Sequence, residues 1–147
     1  TSPNSRGRES MAANTERRQP AIVAAALVLA TLALPTHAVS VACHLTYGGE
    51  TRIVEAAPVA DPYTVPTVSI GSYFMFRIVF REQPADLAGI KLTAYADRDE
   101  GPTPIHQAAY PYPPPSAAVH GFTGLNFVYE PVRDGELRYW CELTDKP

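Results

Sequence analysis

Apolar and polar residues alternate along most of the chain after residue 38. In VSVACHLTY, residues 39–47, Val39, Val41, Cys43, Leu45 and Tyr47 share one face, and Ser40, Ala42, His44 and Thr46 share the other. A period of two marks a half-buried strand. Gly48-Gly49 follows, and glycine accepts the positive φ of a two-residue hairpin turn, so ETRIVEAAP is the returning strand. SYFMFRIVFRE sets Phe74, Phe76, Ile78 and Phe80 against Tyr73, Met75, Arg77 and Arg81. AGIKLTAYA points Ile90, Leu92 and Ala94 inward and Lys91, Thr93 and Tyr95 outward. IHQAAY reads as a short strand, and GLNFVYE as one with Leu125, Phe127 and Tyr129 inward. LRYWCEL ends the series with Leu137, Tyr139, Cys141 and Leu143 inward. No segment in this region carries the helical period. Short strands separated by turn signals predict an all-β fold, a small β-sandwich of about seven strands.

Residues 1–38 follow another pattern. Residues 1–10 have no apolar periodicity and read as a tag or upstream leader. From Met11, Arg17 and Arg18 precede an apolar run, Ala21 to Leu34, with Thr31 as its one polar residue, which Pro35 ends before Thr36-His37-Ala38. A basic segment, a short apolar run and a small residue at the end make residues 11–38 a secretory signal peptide, with cleavage expected after Ala38. As a helix the run would rise about 21 Å, short of the ~30 Å of a bilayer core. The expected mature protein is one domain, residues 39–147, periplasmic or secreted, with no membrane attachment after cleavage.

Charge narrows the choice of partner. The whole chain has a formal net charge of −3. Removing the leader takes away four arginines and two glutamates, so the mature chain is more acidic still. No run of basic residues occurs along it, which argues against nucleic acid and anionic membrane surfaces. The two cysteines, Cys43 and Cys141, lie on the apolar faces of the first and last strands. In an oxidising compartment such a pair predicts one disulfide joining those strands.

GELRYWCEL carries the Tyr-x-Cys spacing of a late immunoglobulin strand, and in this stretch the chain resembles immunoglobulin domains. The resemblance implies an immunoglobulin-like architecture for the sandwich. It covers these residues only.

Two sets of side chains are candidates for function. The first is aromatic. Alternation places Trp140 and Arg138 on the outward face of the last strand, with Tyr73 and Tyr95 outward elsewhere. Tyr110 and Tyr112 stand beside Pro111, Pro113, Pro114 and Pro115, which fix φ and remove amide donors. That stretch is expected to be an extended, stiff crossover. Tryptophan, tyrosine and arginine are the common anchors of binding faces. The second set is His106, His120, His44 and Met75, whose imidazole and thioether groups suit copper. No catalytic motif is present. The sequence therefore points to an exported non-catalytic binding or accessory module without a cofactor, its partner a protein or small ligand. The alternative is a periplasmic copper-binding protein.

Overall fold

The computed structural model describes residues 38–116 and 119–146. Of the expected leader, residues 1–38, all but Ala38 lie outside the described residues. The rest forms eight strands: β1 (Ala38–Tyr47), β2 (Glu50–Ala56), β3 (Val68–Ile70), β4 (Phe74–Arg81), β5 (Gly89–Arg98), β6 (Gly101–Pro111), β7 (Asn126–Glu130) and β8 (Gly135–Lys146). They make two antiparallel sheets of four, ordered β2-β1-β8-β7 and β3-β4-β5-β6. All sequence neighbours within a sheet are paired, and β8 returns to pair with β1. The path is an up-and-down meander, flattened into two layers and closed where its last strand meets its first.

The inward faces build the core as the alternation predicts. Phe74, Phe76, Ile78 and Phe80 of β4 and Ile90, Leu92 and Ala94 of β5 are buried against Val41, Cys43 and Leu45 of β1 and Leu137, Tyr139 and Cys141 of β8. Large residues of β4 lie opposite small ones of β5: Phe74 faces Ala96 and Phe76 faces Ala94. That pairing leaves room for the Tyr139 ring, 5.1 Å from Phe76. The Gly48-Gly49 turn is present, with both residues at positive φ.

The disulfide joins Cys43 and Cys141, direct cross-strand partners whose Cα atoms are 4.1 Å apart. The Cys141 amide donates to Thr123 Oγ1, and its carbonyl accepts from the Phe122 amide. Its backbone groups therefore point away from β1, and the pair occupies the narrow, non-hydrogen-bonded position at which side chains come closest. The bridge lies within one sheet, whereas the immunoglobulin bridge links two.

Three features depart from the sequence reading. β3 was not anticipated, because three residues are too few to show a period. β6 begins earlier than IHQAAY and contains Pro102, Pro104 and Pro111. It tolerates them because it is an edge strand, where missing amide donors break no second ladder. The third is a reversal of β7. Leu125, Phe127 and Tyr129 were expected inside and are 42%, 59% and 56% exposed, while Val128 and Glu130 are buried. Glu130 accepts from Arg98 at 3.0 Å and from the Arg133 amide at 2.7 Å. Burial raises its carboxyl pKa, but the Arg133 and Val132 amides and the Arg98 guanidinium outweigh that and hold it below the usual range. A satisfied carboxylate can thus occupy the inner face, and the one-residue change of phase turns the aromatic set outward.

Candidate ligand-binding groove

The outer face of the second sheet is built from the outward residues of β4, β5 and β6. Register decides which of them meet. Arg77 lies opposite Thr93, Val79 opposite Lys91 and Arg81 opposite Gly89; on the other side of β5, Thr93 faces Gln107 and Lys91 faces Ala109. A bulge in β6 between its Pro104 and His106 pairings resets the phase, so that Gln107 and Ala109 look outward while His106 turns to the core. The single turn of 3₁₀ helix at Pro62–Thr64 and the segment from Leu87 to Gly89 wall the face in. Together they enclose an open groove of about 470 Å³, lined by Arg77, Arg81, Lys91, Thr93, Tyr63, Tyr95 and Gln107 among others.

Its electrostatics differ from those of the chain as a whole. No aspartate or glutamate lines the groove. The ion pairs of the described residues are His44–Glu142, Arg98–Glu130 and Arg138–Glu136, so Arg77, Arg81 and Lys91 belong to none of them. Arg77 donates through Nη2 to the Pro62 carbonyl, which fixes its side chain against the groove wall. The buried Nε atoms of Arg77 and Arg81 have no hydrogen-bond partner among the described residues. Tyr63, at the rim, is 90% exposed. The arrangement offers three cations outside the ion pairs of the described residues, two phenol rings and the Gln107 amide along one face, with Thr93 buried beneath them.

The aromatic set expected from the sequence does not form one surface. Trp140 and Arg138 do lie on the outer face of the first sheet. The Trp140 ring stacks on His44 at 3.8 Å with an interplanar angle of 4°, and His120 meets it edge-on at 5.8 Å. His44 in turn bonds Glu142 at 2.9 Å. Arg138 sits 3.6 Å from Glu136, both exposed. Tyr95 is on the opposite side of the molecule, in the groove. Tyr73 lies at the end of the sandwich, packed against the core, with the Arg133 guanidinium 4.9 Å from its ring centroid. Tyr110 and Tyr112 are not displayed along the crossover. Tyr110 packs edge-on against Phe122 at 5.2 Å, and Tyr112 packs on Phe80 at 4.9 Å while donating to Glu82. Strand alternation gives a side, but it does not say which sheet or which end.

The copper set is dispersed for the same reason. His106 points between the sheets, its Nε2 2.7 Å from the Tyr139 hydroxyl, and burial lowers its pKa. His120 and His44 lie on the outer face of the first sheet beside Trp140. Met75 lies opposite Tyr95 on β4 of the second sheet. Among the described residues no group of three or more His, Cys, Asp or Glu side chains is placed to hold a metal ion.

Trp140 is the only tryptophan, so its emission reports on the His44–Trp140–His120 stack alone. Iodide should quench it in part, since one ring face and one edge are covered. Trp140→Ala should cost about 1–2 kcal/mol in urea unfolding, the value of a partly buried aromatic contact. A cost below about 0.5 kcal/mol would show the stack to be an idle surface arrangement.

Compared with family models, curated proteins and solved structures, the chain matches none.

Proposed function

We propose that this disulfide-closed β-sandwich is the non-catalytic binding module of an exported chain, and that its ligand lies in the outer groove of the second sheet. The observation that carries the reading is the gathering of Arg77, Lys91 and Arg81 in a lining that holds no acidic residue, on a chain whose net charge is negative. Like charges held together raise the free energy of the fold, and an anionic ligand would relieve it. Export is supported by the apolar run of residues 21–34 and by a disulfide that reducing compartments would not maintain. The groove lining offers cationic donors and ring faces suited to holding an anionic ligand.

Inorganic phosphate is the simplest probe. Titrated at low ionic strength and followed by amide NMR, it should shift the resonances of Arg77–Arg81, Gly89–Thr93 and Gln107–Ala109 together, leaving β7 and β8 unmoved. Shifts confined to the Trp140 face, or none at the groove, would overturn the assignment.

A further inference from the structure

We propose that the groove takes a carboxylated sugar chain, a short run of uronate residues lying along β4 and β5. This rests on the groove being the ligand face and adds the chemistry of the occupant.

The spacing of charge suits an extended ligand. Arg77 and Arg81 are four residues apart on one face of β4, hence about 13 Å along the strand at ~3.3 Å per residue. Lys91 stands on the rung between them, because its partner is Val79. The cations thus form a row with a step of about 7 Å. A compact anion such as phosphate reaches one or two of them. An extended chain with a charge on each unit reaches all three.

The kind of donor suits carboxylates on a sugar. Guanidinium groups bind carboxylates through paired N–H donors, and Arg77 is held against the groove wall by its bond to the Pro62 carbonyl. Gln107, exposed and donating to the buried Thr93 hydroxyl at 3.4 Å, sits on the same rung as Arg77 and presents its amide to ligand hydroxyls. Tyr63 and Tyr95 add flat faces of the kind that carry the C–H side of a pyranose ring. A polyphosphate would have no use for those rings. Single-stranded nucleic acid would, but its denser charge is repelled by the acidic remainder of the chain.

The test is isothermal titration with tetragalacturonate at low salt, beside its methyl ester, which keeps the rings and removes the charge. Tetragalacturonate should bind, and the ester should bind at least about tenfold more weakly. Lys91→Gln, an exposed change, and the Arg77→Gln/Arg81→Gln double variant should each weaken binding by about tenfold or more. Circular dichroism should show both variants folded; if the double variant is not, Lys91→Gln decides alone. Equal binding of the ester would overturn the proposal. So would binding of polyphosphate, polyglutamate or a thymidine oligonucleotide as tight as that of the uronate at the same salt. If phosphate shifts the groove resonances while tetragalacturonate fails to bind, the sugar is wrong and the groove stands. If phosphate also leaves the groove unmoved, the binding reading itself has failed.

Discussion

Removing the disulfide should bring the protein close to unfolding. The cysteines are 98 residues apart and enclose nearly all of the described domain. In the chain-entropy account, opening a loop of that size costs up to about 4.7 kcal/mol. Against a typical stability of about 5–15 kcal/mol, that is a large fraction. The position sharpens the expectation. The β1–β8 pairing closes the meander by joining the first and last strands of the described domain. Cys141 also anchors the crossover through its amide and carbonyl. A Cys43→Ala/Cys141→Ala variant should therefore lose several kcal/mol in urea unfolding, and reduction of the wild type should do the same. Two titratable thiols in the denatured, unreduced protein, or a loss under about 1 kcal/mol, would sink this account.

The second large effect is expected at Tyr139. Its ring is fully buried between the sheets, and burial pushes its phenol pKa well upward, with Tyr110 adding to the shift. Tyr139→Ala should cost about 3–5 kcal/mol, as truncation of a buried aromatic does. Tyr139→Phe separates packing from hydrogen bonding. It keeps the ring but leaves the His106 nitrogen without its 2.7 Å partner, and should cost about 1–3 kcal/mol. A neutral outcome for Tyr139→Phe would show the contact to be idle.

The same pair sets a pH dependence. Burial lowers the pKa of His106 from the ordinary 6.5, so the folded protein resists a proton that the unfolded chain accepts. The stability tied to neutral His106 is complete above about pH 6.5 and is lost as pH falls from there through the folded value. Urea midpoints measured between pH 7 and 5 should fall more steeply for wild type than for His106→Gln. Parallel slopes would remove His106 from the explanation. Glu130 acts in the same direction further down. Its depressed carboxyl supports the fold above the ordinary carboxylate range and ceases to do so as pH drops through its folded value.

The groove shows how much of a site a single sequence holds. Alternation alone puts Arg77 and Arg81 on the outward face of β4 and Lys91, Thr93 and Tyr95 on that of β5. It does not bring them together. That requires Val79 to pair with Lys91, a register set by the connection over residues 82–88 and by the fit of Phe76 to Ala94 across the inner face. No basic run exists after residue 38, and three cations separated by up to fourteen positions become a row only in the sheet. The aromatic set failed in the opposite way. Trp140, Tyr73 and Tyr95 share a description in sequence but sit on one sheet's outer face, at the end of the sandwich and on the other sheet's outer face.

The period of two, the turn glycines and the paired cysteines determined the all-β class, most strand positions, the inward faces of β1, β4, β5 and β8, and the disulfide. These are local properties: a residue's side of a strand follows from its neighbours two positions away. Tertiary structure alone decided the phase of β7, where Arg98 and the Arg133 amide make a buried Glu130 tolerable and so turn Phe127 and Tyr129 outward. It also decided the inward turn of His106, through a bulge invisible to any period, and the assembly of the groove. Each depends on a partner many residues away, and the energy of a buried charge or of a cross-strand pair exists only once that partner has arrived.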